Sequence, residues 1–162
     1  MNRKYLFALP LLLASVMSIP LSAAAADELN VSKGLVETGQ PLAVHGYDVV
    51  SFFTQAKPTL GNSKFDETYQ DVTYRFSSEE NLMTFKSNPV KYAPQFGGYC
   101  AFGAALGKKF DGDPQSWTVT NGKLYLNLNP DIQEKFSKDV PGFIAKAEAN
   151  WKKIQHSAVA GL

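Results

Sequence analysis

A single cysteine, Cys100, stands among 162 residues. That excludes an internal disulfide framework and any multi-cysteine zinc or iron–sulfur site within one chain. An excess of one charge is also lacking. Sixteen Lys and Arg meet fifteen Asp and Glu, a formal charge of +1, so no bulk electrostatic case exists for a nucleic-acid binder. Nothing repeats, and no low-complexity linker divides the chain. The sequence contains no Gly-x-Ser-x-Gly, phosphate loop, dinucleotide fingerprint or His-Glu-x-x-His, and hence no recognisable enzyme active site. What is there is 44% hydrophobic and 19% charged, a balance that fits neither a disordered chain nor one embedded wholly in a membrane.

Residues 1–26 read as a cleaved secretory signal. Arg3 and Lys4 supply the positive start, an apolar stretch follows, and Ser22-Ala23-Ala24-Ala25-Ala26 offers small residues to a signal peptidase. Pro10 and Pro20 interrupt the stretch, which barely reaches the ~20 apolar residues of a membrane span. No cysteine near the cleavage site marks a lipoprotein, and no twin arginine precedes the apolar run. The expectation is a bacterial Sec-type export signal and a periplasmic or secreted product with no membrane attachment after cleavage. Loss of Arg3 and Lys4 takes the 16 basic residues to 14 against 15 acidic, a charge of −1. The periplasm is oxidising, so a lone thiol there needs an explanation.

Beyond the signal, 27–39 reads as an N-terminal arm, 40–156 as one domain and 157–162 as a flexible tail. Tyr47-Asp48-Val49-Val50-Ser51-Phe52-Phe53 is rich in β-branched and aromatic residues and predicts a strand. A hairpin is expected with 63–68 against 72–76. Ser77-Ser78-Glu79-Glu80 carries the capping-box pattern, so a helix starts there, with Leu82, Phe85 and Met83 as its buried face and Pro89 as its end. The glycine-rich run 103–114 is the best candidate for a mobile loop. Asn121-Gly122 between two alternating runs is the strongest short hairpin signal, because both residues must take positive φ; Leu124, Leu126 and Leu128 are expected to share a face. Asn129-Pro130 opens a helix. After Pro141-Gly142 a last helix carries Ile144, Ala147, Trp151 and Ile154 at helical spacing. Without regular βαβ alternation, the class is α+β: a small single domain of antiparallel β-hairpins and several helices.

Cys100 follows Gly97-Gly98-Tyr99 and precedes a run of small residues, which places it at or near a helix N-terminus. Backbone N–H groups there would lower a thiol pKa. Such a thiol could ligate Cu(I), form a mixed disulfide with a partner protein or meet an oxidant; the alternative is a buried structural cysteine. His45 is the histidine inside the expected fold, and a Cys100/His45 pair would make a small soft-metal site if the fold joins them. The other reading of His45 is a hydrogen-bonded residue at a strand start. His156 is expected to be solvated. Asp111-Gly112-Asp113 lacks the later ligands of a calcium loop and reads as a turn. Tyr47, Asp48, Tyr99, Phe102 and Trp117 are the candidates to line a small-ligand pocket.

These stretches resemble the bacterial exported YHS-domain proteins. The resemblance rests on His45-Gly46-Tyr47-Asp48-Val49-Val50-Ser51-Phe52-Phe53, on 72–82, on Phe85 through Tyr92 with Asn88-Pro89, and on Gly97-Gly98-Tyr99-Cys100-Ala101. Trp117-Thr118-Val119 and Leu124-Tyr125-Leu126-Asn127 extend it to about residues 40–154. It implies a small α+β domain and an association with heavy metals, especially copper, but no assigned reaction. Metal-binding relatives typically carry a cysteine pair entering the helix, where this chain has Ser77 and Asn81. An early cysteine expected near Val50-Ser51 is also absent. Cys100 resembles the position at which some exported relatives use selenocysteine. Three readings follow: a soft-metal (copper) protein using Cys100 and His45, a thiol redox protein using Cys100, and a non-catalytic small-ligand or protein-binding module with a buried cysteine.

Overall fold

The computed structural model describes residues 28–162; the expected signal segment and cleavage site lie outside the described residues. Two antiparallel hairpins and six helices build the domain, in accord with the α+β expectation. In chain order come α1 (Ser51–Thr54), β1 (Asn62–Tyr69), β2 (Val72–Phe76), α2 (Glu79–Ser87), α3 (Pro89–Tyr92), α4 (Ala101–Ala105), β3 (Asp113–Thr120), β4 (Lys123–Asn127), α5 (Pro130–Ser137) and α6 (Val140–Ile154). Short 3₁₀ turns occupy Val44–Gly46, Gln95–Gly98 and Val159–Gly161. No described helix is long and apolar enough to cross a membrane.

The hairpins form where the turn chemistry places them. β1 pairs with β2 around Gln70 and Asp71, with φ of 52° and 60°, and β3 pairs with β4 around Asn121 and Gly122, with φ of 50° and 71°. Two successive left-handed residues match the right-handed strand twist, and Asn-Gly reaches that conformation at least cost. β4 is buried on both faces, so Tyr125 and Asn127 are as enclosed as Leu124 and Leu126. Leu128 falls past the strand end and is 37% exposed, contrary to the expected apolar face.

One predicted element is replaced outright. Residues 47–53 do not form a strand: Tyr47 makes only an isolated bridge to Leu60, and the chain turns into α1 at Ser51. The cause is Asp48, whose Oδ1 accepts the N–H of Val50 at 2.9 Å and of Ser51 at 3.3 Å. This local side-chain turn starts a helix and overrides the β propensity of Val49 and Val50.

Smaller corrections concern caps and faces. Ser78, not Ser77, caps α2 by accepting the Asn81 N–H. Met83 is 58% exposed, since the buried face of α2 passes through Asn81 and Phe85 with Leu82 beside it. Pro141 and Gly142 lie inside the first turn of α6, which Asp139 caps. The stretch expected as a mobile loop is partly packed, with Leu106 and Phe110 exposed. Gly103 belongs to α4, where a Cβ would stand 2.8 Å from the Phe110 ring, and Lys109 is 4% exposed.

Two cores result. One joins α1, β2, α2 and β4 through Val49, Val50, Phe52, Phe76, Phe85, Leu124 and Leu126. The other joins α4, α5 and α6 through Ala101, Ala104, Phe136 and Ala147, with Tyr125 from β4. The arm crosses the seam beside the 3₁₀ turn at 95–98: the Asn30 N–H donates to the Gly97 carbonyl, and a Cβ on Gly97 would strike the Glu28 carbonyl. Only glycine, at φ 61°, fits there.

Candidate functional site

Cys100 caps α4, as the small-residue run predicts. Its Sγ accepts the Gly103 N–H at 3.3 Å, and its S–H points to Asn127 Oδ1 at 3.7 Å. Asn127 is itself fully buried. Its Oδ1 also accepts the Phe102 N–H at 3.1 Å, and its Nδ2 donates to Gln133 Oε1 at 2.7 Å. Gln133 passes the chain of bonds to Thr118 Oγ1 at 2.7 Å. The thiol is thus one end of a polar path linking α4, β4, α5 and β3.

The expected low thiol pKa is overturned. Burial pushes the Cys100 thiol up, and this outweighs the backbone N–H groups of Gly103, Leu128 and Phe102, which favour the thiolate. Cys100 has no exposed surface, so desolvation of a thiolate dominates. The fold therefore holds the proton more tightly than the unfolded chain. Stability from this group is complete below the free thiol's value of about 8.5 and is lost as pH rises toward the folded value.

His45 is held elsewhere. Its Nε2 lies 2.9 Å from Asp111 Oδ1 and its Nδ1 3.4 Å from Ser32 Oγ. Asn30 Nδ2 also donates to Asp111 Oδ1, at 2.6 Å. Partial burial works against the Asp111 carboxylate. The bonds from Asn30 and His45, with the imidazole's charge, outweigh it and keep the carboxyl below its ordinary range. Val44, His45 and Gly46 all have positive φ; for a β-branched valine this is a strained geometry that the surrounding packing imposes. The imidazole and the thiol meet different partners and share none. The Cys100 N–H donates to the carbonyl of Phe110, the residue before the His45 partner Asp111. Asp111 and Gly112 are irregular chain leading into β3, which Asp113 begins, so the turn expected there is not formed.

The five pocket candidates scatter. Tyr47 and Trp117 are partly buried against the first core, and Phe102 packs on Phe143 of α6 with ring centroids 4.9 Å apart. Tyr99 donates from its hydroxyl to the Leu29 carbonyl at 3.3 Å. Asp48 is not a pocket wall but a fully buried junction. Its Oδ2 accepts the Ser77 N–H at 2.9 Å, the Ser77 hydroxyl at 2.6 Å and the Asn81 amide at 2.7 Å.

That junction tests the soft-metal set the resemblance implies. Ser51, Ser77 and Asn81, from the stretches where cysteines would fall, all converge on Asp48. The donors are oxygen and amide groups engaged with one another, with no sulfur, and they do not fit a soft metal. Among the described residues no three His, Cys, Asp or Glu side chains form a metal-holding group.

Lys109 had no sequence signal. Its ammonium donates to the carbonyls of Gln155 and Ser157, each at 2.8 Å, and lies 5.4 Å from the ring centres of Tyr99 and of Trp151. It closes the C-terminus of α6, where a cation is favoured. His156 is exposed as expected, yet it bonds Glu28 at 2.5 Å and ties the arm to the chain's other end.

No family model matches the sequence, and neither a curated protein nor a solved structure matches the chain.

Proposed function

We propose that this chain is an exported, non-catalytic binding domain for a small ligand, in which Cys100 is a structural thiol. The observation carrying this reading is the complete burial of Cys100, with Sγ accepting from Gly103 and its S–H directed at Asn127. A residue so placed behaves as a small hydrophobe with one weak donor. Sheltering also answers the compartment problem: an enclosed, protonated thiol survives an oxidising periplasm without a disulfide partner. The signal-like first 26 residues support export, and the resemblance to exported YHS-domain proteins supports a small domain with no assigned reaction. A redox role would need a thiolate reachable by oxidant and an external resolving thiol, since the chain holds one cysteine.

The Gly103 N–H that donates to Sγ favours a second reading, soft-metal handling with copper as cargo. That group would stabilise the thiolate once Cu(I) displaced the proton. Anaerobic Cu(I) competition against a chromophoric chelator separates the two. The structural reading predicts equal affinities for wild type, Cys100→Ser and His45→Ala. A tenfold or greater loss in Cys100→Ser, about 1.4 kcal/mol, would overturn it in favour of a copper-binding thiol.

A further inference from the structure

A cleft remains that none of the sequence candidates lines. It runs between the arm, the β1–β2 turn and α6 as two adjoining cavities of about 240 and 280 Å³, which share Glu28, Leu29 and Gln70. Asp71 joins them on one side, and Tyr74, Trp151 and Gln155 on the other. Among the described residues no lysine, arginine or histidine lines either cavity.

Tyr74 is the informative wall. The residue is 97% enclosed, being 3% exposed, and its hydroxyl has no hydrogen-bond partner among the described residues. Every fully buried side-chain N or O of the described residues has a partner. The Tyr74 oxygen therefore escapes full burial, and Tyr74 lines the cavity. An enclosed phenol in the wall of a polar cleft can meet a ligand's donor or acceptor.

The surrounding chemistry is rich in acceptors and negative in sign. Glu28 and Asp71 bring carboxylates, and Gln70 and Gln155 bring side-chain amides. His156 already shares Glu28, but Asp71 belongs to the exposed turn and has no ion pair among the described residues. Lys109, beyond that pair, is enclosed beside Trp151 against the carbonyls that end α6. We propose that this cleft binds a small organic cation carrying a primary ammonium group, with Asp71 and Glu28 receiving the charge and the Tyr74 hydroxyl accepting one N–H. Charge-assisted hydrogen bonds of this kind are the strong ones. The inference deepens the binding reading by naming its ligand class, and its failure leaves the separate evidence on Cys100 untouched.

Isothermal titration of the purified protein with 1,4-diaminobutane, and with glucose as a neutral polyol of similar reach, tests it. The expected result is saturable diamine binding that weakens at least tenfold in Asp71→Asn and in Tyr74→Phe, with no heat from glucose. Asparagine tolerates the left-handed conformation at 71 and phenylalanine keeps the Tyr74 ring, so both variants retain the fold; circular dichroism verifies this. Absence of saturable binding at millimolar diamine would overturn the proposal. So would unchanged affinity in both variants, or glucose binding as tightly as the diamine.

Discussion

Asp48→Ala is expected to destabilise the fold by about 4 kcal/mol, the range for removing one partner from a buried charged network. For a domain of this size that lowers Tm by roughly 10–15 °C. Asp48 has no exposed surface, and its two oxygens receive five bonds: Val50 and Ser51 N–H on Oδ1, and Ser77 N–H, Ser77 hydroxyl and Asn81 amide on Oδ2. Alanine strands those donors away from water, and each unsatisfied group costs about 1–3 kcal/mol before relaxation. The junction ties the start of α1 to the end of β2 and the first turn of α2, so the loss spreads over three elements. Asp48→Asn tests the chemistry at nearly constant shape. Its amide nitrogen must face at least one of the donors, so it is expected to cost about half as much. Urea denaturation monitored by circular dichroism measures both, and a change under 1 kcal/mol in Asp48→Ala would contradict the assignment.

Phe85→Ala is expected to cost about 4 kcal/mol, the usual range for removing a buried phenylalanine. The ring is fully buried and meets Tyr74 at 4.8 Å, Phe76 at 5.0 Å and Tyr69 at 5.9 Å between centroids. It thereby fixes α2 onto the first hairpin. Alanine would leave a cavity among rigid rings that cannot close over it. Phe85→Leu, which refills most of the volume, is expected to recover more than half of the loss in the same denaturation experiment. Equal losses for alanine and leucine would show that ring contacts rather than cavity volume dominate.

Turn and cap signals were legible in the sequence, except at Asp48; long-range chemistry was not. Asn121-Gly122 specified its hairpin, and Asn129-Pro130 its helix start, because each signal and its effect lie within four residues. The strand expected at 47–53 failed although its residues favour strands, because the Asp48 carboxylate bonds locally to Val50 and Ser51 and distantly to Ser77 and Asn81. An Asp three residues before a Ser was a visible start signal, but the β-branched run masked it.

The candidate site divides the same way. Cys100 was placed correctly at a helix start, since glycines and small residues announce one. Its protonation was misjudged, because the Asn127 that helps enclose it stands 27 residues on. The short range of an α4 only five residues long adds to this: it offers a few N–H groups, and burial outweighs them. Asp111 as the partner of His45, Lys109 at the end of α6 and the cleft beside Tyr74 all depend on contacts across the domain. No local pattern encodes them.

Alkylation of native Cys100 by iodoacetamide, followed by mass spectrometry from pH 7 to pH 9, tests the central claim that this thiol is structural. The account predicts a rate at least a hundredfold below that of the urea-unfolded chain, since reaction must await opening of the fold. It also predicts little rise across the pH range in which a free thiol ionises. Prompt labelling at pH 7, at a rate near the unfolded chain's, would contradict it and make Cys100 a working thiolate.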